Sequence, residues 1–358
     1  MKSTQKMQNW NLINNEVVFK NYLFNISNKD FERLTEHDRH FIRAYGVNSI
    51  IKECYLEIKN NLPKNITSMN YLIEELKVPR STLECWISGR NPIPIFQIYE
   101  ILVIWKEVCK KSENKLNKMW ESIFSEIKYF NCHGNKVKLP KKLTSELSYL
   151  IGLILADGYV KSDDKLLDRG KNPEYSICIY SESKKLLVKV SKIFKKLFGV
   201  NCNLHFCQDK KGSWYTLRCT SKPIHRFFCD VIGLQRGSKS GYVKILDVIK
   251  NAPIKIKKEL IAGFFDGDGG IGISSKNPWL EIAQASYTPE PPNILTWIQE
   301  TLHSNSVSLT LNKATYQNLW RLRTASKKTI RDFETIITSK HPNKIKKFQD
   351  VRYFSYGK

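Results

Sequence analysis

Two segments of the 358-residue chain differ from all others because their apolar residues leave no polar face. Residues 150–158 read LIGLILADG, and residues 261–269 read IAGFFDGDG. Apolar side chains on every side predict a helix that is buried all round. The inner glycines, Gly152 and Gly263, would let a second backbone approach closely. Each segment ends at an aspartate followed by a glycine, which predicts that the helix stops there.

Similar patterns follow each segment, in the order motif helix, strand pair, helix, strand pair, helix. In the first half, alternation of apolar and polar residues predicts strands at 175–180, 202–207 and 214–220, and 3.6-residue periodicity predicts helices at 183–198 and 224–232. In the second half the predicted strands are 280–287, 308–311 and 319–324, and the predicted helices are 294–304 and 327–337. A repeat of this length indicates two related subdomains rather than a solenoid.

The region before the first apolar segment has a different organisation. Residues 1–60 are polar and are predicted to be helical, and residues 111–140 are predicted to form a lysine-rich helix and a linker. Between them, residues 61–110 predict an all-α domain with a short helix at 69–76, a turn at 77–79 and a second short helix at 80–88. Two short helices across a tight turn are the helix-turn-helix plan. The second of them resembles the repressor-like subclass, whose recognition helix enters the major groove of DNA.

Within this region, the outward positions of the second helix and the residues just after it are the candidate DNA contacts. They are Arg80, Ser81, Thr82 and Arg90. An ordinary three-helix bundle that binds no ligand is the alternative interpretation.

If the two apolar helices pack on each other, Asp157 and Asp268 meet at their ends. Crowded carboxylates repel each other unless a cation lies between them, and hard oxygen ligands suit Mg²⁺. The alternative is that each segment is only a core helix ended by an Asp-Gly turn. Two copies of the same pattern favour the metal site.

The charge distribution agrees with a polyanionic partner. The formal net charge of the chain is +24, with 58 Lys+Arg against 34 Asp+Glu. Of this, +18 lies in residues 141–358, in the same region as the two aspartates. A basic surface at that place is expected for a protein that holds nucleic acid. We therefore expect double-stranded DNA as the partner.

Nine cysteines without a CxxC pair indicate free thiols in a reducing compartment rather than a disulfide framework. No apolar stretch is long enough to span a membrane. We expect a cytoplasmic, DNA-associated protein with no membrane partner, and an organellar location stays open.

The paired segments resemble the LAGLIDADG motif of homing endonucleases, in the two-copy, single-chain form, and the resemblance covers roughly residues 140–352. The second copy has both acidic positions of the motif, Asp266 and Asp268, whereas the first has Leu155 at the sixth position. The resemblance implies a pseudo-twofold pair of αββαββα subdomains with saddle-shaped antiparallel sheets, an α+β fold, at 141–252 and 253–352. It also implies a monomeric, site-specific double-strand DNA endonuclease that uses Mg²⁺ or Mn²⁺.

The same resemblance implies roles for particular residues. Asp157 and Asp268 would bind metal, helped by the backbone carbonyls of Ala156 and Gly267. One lysine in each half would lie near the reacting phosphate. By position these are Lys239, with Lys244 as second choice, and Lys344, with Lys346 as second choice. Any of these lysines could instead be a plain phosphate contact or a surface charge.

A basic face of the predicted sheets would lie along a DNA groove. Its candidate residues are Tyr180, Arg218, Gln284, Lys313, Arg321 and Arg323. The same alternation is found in any antiparallel sheet with one solvated side.

Two other functions stay open, a DNA-binding regulator that no longer cleaves and an intron RNA maturase with intron RNA as partner. Leu155 keeps the first of these open. In a nuclease, Leu155 predicts lower polarity beside one metal and slower cutting of the strand served by Asp157.

Overall fold

The computed structural model describes residues 10–13, 16–19, 42–132, 134–161, 174–210, 212–239, 241–314 and 318–354. Helices and antiparallel sheets alternate along this α+β chain, which has an N-terminal region followed by two similar halves. In the part of the chain that the structure describes, no helix has both the length and the apolar character needed to cross a bilayer.

The first described elements are two strands that pair as an antiparallel hairpin, β1 (Trp10–Ile13) and β2 (Glu16–Phe19). The prediction of helix is therefore wrong for this part of residues 1–60, and residues 20–41 lie outside the described residues. Aromatic and β-branched residues explain the strands, because such side chains favour a pleated backbone.

Strand β2 joins the N-terminus to the first half. The backbone N–H of Phe19 donates to the carbonyl of Lys141 (2.9 Å), and that of Leu143 donates to the carbonyl of Val17 (2.9 Å). The Phe19 ring also contacts the Phe227 ring edge-on, with 5.5 Å between their centroids.

Residues 42–132 form one unit of five helices and a small sheet. The helices are α1 (Asn48–Asn61), α2 (Ser68–Leu76), α3 (Arg80–Ile87), α4 (Ile95–Val108) and α5 (Glu113–Glu126). The strands are β3 (Arg43–Tyr45), β4 (Ile93–Pro94) and β5 (Tyr129–Asn131), in the order β4-β3-β5. The expected all-α domain is thus corrected to a mixed one. Strands of two or three residues are too short to show an alternating pattern, so the sequence did not reveal them.

Helix α1 packs against α3 and α4, so it belongs to the same unit although the sequence placed it before residue 61. Helices α2 and α3 flank the turn at Lys77–Pro79. Lys77 has a left-handed backbone (φ 51°), and Pro79 stands immediately before α3. Two short helices across a tight turn are therefore present here, and their assignment as a DNA-binding helix-turn-helix stays a prediction.

The two halves that follow have the same order of elements. The first contains α6 (Ser145–Asp157), β6 (Gly158–Val160), β7 (Ser176–Ser181), α7 (Lys184–Phe198), β8 (Asn203–Asp209), β9 (Gly212–Thr220), α8 (Lys222–Arg226), a π-helical continuation (Phe227–Ile232) and α9 (Asp247–Lys250). The second contains α10 (Ile254–Asp268), β10 (Gly269–Ser274), β11 (Asn277–Ala285), α11 (Asn293–His303), β12 (Thr310–Lys313), β13 (Leu319–Thr324), α12 (Lys327–Ile336) and α13 (Pro342–Tyr353).

Each half contributes a four-stranded antiparallel sheet, with orders β6-β7-β9-β8 and β10-β11-β13-β12. The registers are equivalent, because Gly158 pairs with Ile179 in one sheet and Gly269 with Ile282 in the other. Strands β6 and β10 were not assigned from the sequence. Their glycines weaken the strand pattern, since glycine provides no side chain to pack.

The motif helices α6 and α10 touch each other through their backbones. A Cβ atom built on Gly152 would lie 2.0 Å from the carbonyl oxygen of Leu260, and one built on Gly263 would lie 2.0 Å from that of Tyr149. No side chain larger than hydrogen fits at either place. The Ser148 hydroxyl adds a bond between the helices by donating to the carbonyl of Ile256 (2.7 Å).

The glycines that end these helices act differently from the expectation. Gly158 (φ −93°) and Gly269 (φ −85°) are extended, so neither forms a left-handed helix cap. A Cβ on Gly158 would lie 2.6 Å from the Ile154 Cα, and one on Gly269 would lie 2.5 Å from the Phe265 carbonyl oxygen. Glycine is needed here because the chain passes from helix directly into strand against its own last turn.

We predict that Gly152→Ala and Gly263→Ala each lower the free energy of unfolding by about 3 kcal/mol or more, because a methyl group at these positions must separate two backbones. Chemical denaturation of the purified variants measures this. Gly272→Ala is the comparison, because a Cβ there meets only the Trp279 ring, at 3.2 Å or more. Equal losses in all three variants would contradict the close contact.

Candidate active site

The C-terminal ends of α6 and α10 lie side by side and bring Asp157 and Asp268 together. A Cβ atom on Gly267 would lie 2.3 Å from the Cβ of Ala156 and 3.3 Å from the Cγ of Asp157. The last turns of the two helices are therefore in contact. The predicted meeting of two carboxylates follows directly from the glycine-mediated packing.

Burial and mutual repulsion change the ionisation of this pair. Burial, followed by the charge of Asp157, raises the pKa of Asp268 to about 7, against the opposing effects of Lys239 and Lys344. Burial also raises the pKa of Asp157, and the same two lysines oppose that shift. Two carboxylates that share a desolvated site cannot both ionise easily. The pair therefore retains a proton near neutral pH unless another cation compensates its charge.

A lysine caps the end of each motif helix. Lys239 donates from Nζ to the carbonyl of Ile154, to that of Leu155 (2.6 Å) and to that of Ala156 (2.8 Å). These bonds reach carbonyls of the last helical turn, of which that of Ile154 also accepts from the backbone N–H of Gly158, and they place a cation at the negative end of the helix dipole.

In the second half, Lys344 is the equivalent residue. Its Nζ donates to the carbonyls of Phe265 (2.5 Å), Asp266 (2.8 Å) and Gly267 (3.1 Å). Burial lowers the pKa of both Lys239 and Lys344 to about 8. The structure thus brings the two first-choice lysines to the carboxylate pair, whereas Lys244 and Lys346 are exposed.

The oxygen atoms gathered here suit a hard divalent cation. Two carboxylates are present, and the carbonyls of Ala156 and Gly267, which were expected to help bind metal, each accept a hydrogen bond from a lysine. Among the residues that the structure describes, no group of three or more His, Cys, Asp or Glu could hold a metal alone. Water and substrate oxygens would have to complete an octahedral shell.

Gln284 belongs to this site rather than to the DNA-facing surface. Its Nε2 donates to Oδ2 of Asp268. The register pairs Gln284 with Trp320, on the same sheet face as the buried pair Ile282 and Leu322. The prediction that Gln284 joins the outward basic face is therefore wrong, because it is one residue out of phase with that face.

Lys313 is also one residue out of phase with the outward face of the sheet. It pairs with Trp320, so the register directs it to the inner face, although its position at the end of β12 leaves it exposed. Arg321 and Arg323 alternate with the buried Leu322 and lie on the outward face.

In the first half, Tyr180 and Arg218 lie on the corresponding outward face, because the residues between their pairing positions, Ile179 and Leu217, are buried. Acidic partners accompany the arginines of both sheets. Arg218 forms an ion pair with Glu174, and Arg321 lies 4.0 Å from Glu281.

The candidate DNA contacts of the N-terminal unit lie on or next to α3. Arg80, Ser81 and Arg90 are exposed, and Thr82 is partly exposed. Arg80 forms an ion pair with Glu84 (2.9 Å), and Arg90 donates to the hydroxyl of Ser88 (3.0 Å). Their role in DNA binding stays a prediction.

The sequence suggested that the acid at the sixth motif position sets the polarity beside one metal. The structure contradicts this suggestion. Asp266 is 2% exposed, and its carboxylate turns into the protein, where it accepts hydrogen bonds from the Tyr149 hydroxyl (2.6 Å), the Ser339 hydroxyl and the Lys340 backbone (2.7 Å). Leu155, its counterpart, is also buried. Replacing the acid by leucine therefore changes internal contacts rather than polarity between the carboxylates.

Comparisons with known proteins point to the same region of the chain. Residues 144–231 match the model of the LAGLIDADG-like domain family. Over 207 residues the chain is 27% identical to homing endonuclease I-ApeI of Aeropyrum pernix. This alignment covers 57% of this chain and 86% of that protein.

A longer alignment, 22% identical over 316 residues, is with a glutamine–fructose-6-phosphate aminotransferase of Methanocaldococcus jannaschii. It covers 86% of this chain, but the chain spans only 26% of that protein. Among solved structures, I-DmoI in complex with DNA and Mn is 18% identical, covers 55% of this chain and 97% of its own, and superposes with a TM-score of 0.39. With its paired motif helices, each ending in an aspartate and capped by a lysine, the chain is similar to the LAGLIDADG homing endonucleases, and residues 144–231 match the LAGLIDADG-like domain.

Proposed function

We propose that the protein is a site-specific double-strand DNA endonuclease that hydrolyses phosphodiester bonds with divalent cations, Mg²⁺ or Mn²⁺, held by Asp157 and Asp268. The observation that carries the proposal is the pairing of these two carboxylates at the ends of helices that cannot be separated without breaking backbone contact. The name of the relative I-ApeI, a homing endonuclease, supports the same class of activity.

The residues of the site have separate tasks in this reaction. Asp157 and Asp268 would hold the cations, with the carbonyls of Ala156 and Gly267 nearby. When bound, divalent cations activate water and compensate charge on phosphate oxygens. Gln284 holds one carboxylate oxygen of Asp268 and so fixes its orientation.

Lys239 and Lys344 supply positive charge that the protein has positioned in advance. With pKa values of about 8, both are mostly protonated at neutral pH and less hydrated than a surface lysine. A desolvated ammonium group stabilises the negative charge that develops on a phosphate more than one in water does. Because each half has one such lysine and one aspartate, the chain has the catalytic groups needed to cut both DNA strands.

Sequence recognition would come from the outward faces of the two sheets. Tyr180 and Arg218 in one sheet and Arg321 and Arg323 in the other lie on these faces, and Arg218 would exchange its ion pair with Glu174 for base edges or phosphates. The net charge of +18 in residues 141–358 supplies the attraction to the DNA backbone. We propose that the N-terminal helix-turn-helix unit contacts flanking DNA, which would lengthen the recognised site.

A non-cleaving regulator is the second candidate. It would need the DNA-facing surface but not the aspartate pair. The cost of keeping four buried ionisable groups in one place argues against it, because a regulator gains nothing from that cost.

We predict that Asp157→Asn and Asp268→Asn each reduce cleavage on the order of a thousandfold, as expected for loss of a preorganised charge at the reacting centre. The assay incubates the full chain with Mg²⁺ and a randomised duplex library and sequences the new ends. Binding of the recovered duplex should persist in both variants. Asp350→Asn, at an exposed carboxylate of α13, is the control that should cleave normally. Cleavage at the parental rate by either site variant would refute the assignment.

We also predict a pH-dependent stabilisation by Mg²⁺ without DNA. Because the pKa of Asp268 is raised from 3.8 to about 7 in the folded protein, its contribution to the unfolding free energy falls as pH rises through that interval. Mg²⁺ relieves the repulsion that appears when the carboxylate ionises. The melting temperature should therefore increase more on adding Mg²⁺ at about pH 8 than at about pH 5. Asp157→Asn should lose this difference, and an unchanged difference would show that Mg²⁺ binds elsewhere.

For the N-terminal unit we predict that the double variant Arg80→Ala/Arg90→Ala lowers affinity about tenfold for a long duplex, by loss of direct DNA contacts. Affinity for a short duplex that covers only the cleavage site should stay the same. Lys52→Ala, at an exposed cation of α1, is the matched control. Equal affinity of variant and parent for both duplexes would mean that the helix pair has only a structural role.

A further inference from the structure

The buried carboxylate of Asp266 holds one segment of the chain, residues 339–341, by hydrogen bonds; we call it the fastened segment. Its donors come from two places, the Tyr149 hydroxyl on α6 and the Ser339 hydroxyl and Lys340 backbone N–H in the connection from α12 to α13. All three bonds are made in the interior, since Asp266 and Tyr149 are 2% and 0% exposed. Buried bonds to a charged group are stronger than bonds between neutral groups.

The fastened segment leads directly to Lys344. Residues 339–341 precede α13, and Lys344 lies in the first turn of that helix. His341 caps the helix by accepting from the backbone N–H of Asn343 through Nδ1 (3.2 Å). Lys344 then returns to donate to the backbone carbonyl of Asp266 itself (2.8 Å). Asp266 thus holds the start of α13 with its side chain and receives the ammonium group with its main chain.

A further contact ties the same segment to the motif helices. The Nζ of Lys340 lies 3.8 Å from the ring centroid of Tyr149 and 2.7 Å from Oε2 of Glu259 on α10. The tyrosine whose hydroxyl donates to Asp266 therefore also has its ring covered by the ammonium group of Lys340. Each of these groups restricts the others, which leaves the segment before Lys344 little freedom.

The first half has apolar residues at the positions equivalent to Asp266 and its two side-chain donors. The motif helices are related by 111 positions, so Asp266 corresponds to Leu155 and Tyr149 to Leu260. The lysines are related by 105 positions, as are Leu217 of β9 and Leu322 of β13, which occupy equivalent places in the two sheets, so Ser339 corresponds to Leu234. All three leucines are buried. The first half thus lacks the acid and both of its side-chain donors, as expected if these three groups act as one set.

Lys239 consequently has a different support. It lies in the irregular stretch between the π-helical turn and α9, where Gly233 and Gly237 have positive φ angles of 92° and 77°. Leu155, Leu234 and Lys239 line a cavity of about 350 Å³. An irregular stretch beside such a cleft is held less firmly than the first turn of a packed helix.

We propose that Asp266 is a positioning residue that holds Lys344 at the end of α10, and that its absence from the first half makes the two cleavage centres unequal. The strand whose cleavage depends on Lys344 is cut first, and the strand that depends on Lys239 follows after a nicked intermediate. This inference rests on the proposed nuclease function, and its test is designed so that the two can fail separately.

The first measurement is strand-resolved cleavage by the full chain, on the duplex recovered from the randomised library with each strand labelled. Lys344→Met and Lys239→Met identify the strand that depends on each lysine. Asp266→Asn should then slow the Lys344-dependent strand about tenfold, or about 1.4 kcal/mol in barrier, and leave the other strand within about twofold. In the Lys344→Met background, Asp266→Asn should have no further effect on that strand.

A matched control separates positioning from loss of stability. Ser148→Ala removes another buried bond between α6 and α10, that from the Ser148 hydroxyl to the Ile256 carbonyl, near the opposite end of the helix pair. It should lower the melting temperature without changing the ratio of the two strand rates. Equal slowing of both strands by Asp266→Asn, or no change in the ratio, would overturn the proposal.

The second measurement does not depend on cleavage. Amide hydrogen exchange on the full chain, followed by mass spectrometry, should show faster exchange across residues 339–346 in Asp266→Asn and unchanged exchange across residues 233–246. Ser148→Ala should leave both segments as in the parent. If the parent cleaves no duplex, the nuclease function fails while this result still decides whether Asp266 holds the segment. Unchanged exchange across 339–346 would refute the positioning role even in an active nuclease.

Discussion

The backbone contact between α6 and α10 is the constraint on which the rest of the site depends. Gly152 and Gly263 bring the axes so close that any Cβ would overlap a carbonyl of the other helix. Apolar residues surround the contact on all sides, so the pair cannot slide or separate without exposing the core. Because both helices end at the same level, this contact alone determines that Asp157 and Asp268 lie together.

The arrangement is electrostatically costly, and its cost explains the other residues of the site. A carboxylate at the C-terminus of a helix lies at the negative end of the helix dipole, which disfavours its charge. Lys239 and Lys344 oppose this effect by donating to the last carbonyls of each helix. The lysines are themselves buried, and this burial lowers their pKa values to about 8. The two carboxylates still repel each other, and binding of further cations would relieve this repulsion.

The sequence could predict a residue's role where a local motif determines its position. It could not do so where the side-chain orientation depends on partners far away in the chain. The apolar runs with inner glycines predicted the helix pair and its aspartates. The resemblance to the LAGLIDADG family, which implies one lysine after the strand pairs of each half, selected Lys239 and Lys344 among many lysines, and the structure places both at the helix ends. The carboxylate of Asp266 could not be oriented in this way, because its partners Tyr149 and Ser339 are 117 and 73 positions distant.

Most other differences between the predicted and observed structure concern the strands, either the sheet face on which a residue lies or the presence of the strand itself. Gln284 and Lys313 are polar residues in strands, and only their register with Trp320 separates them from Arg321. The short strands β3 to β5 and the glycine-rich β6 and β10 carry too little side-chain pattern to be recognised. In each case the deciding information is which strand lies alongside, and this depends on residues far away in the chain.

The pseudo-twofold relation is preserved by the backbone and broken by the side chains that support the two centres. Helix ends, strand registers and capping lysines correspond in both halves. In the second half, Gln284 holds Asp268 and Asp266 holds the segment before Lys344. At the position corresponding to Gln284, the first half has Ser181, whose hydroxyl accepts from the backbone N–H of Ser183. Both polar supports thus occur on the same side, so the asymmetry is concerted, and a single chain can specialise its two centres in a way that a symmetric homodimer cannot.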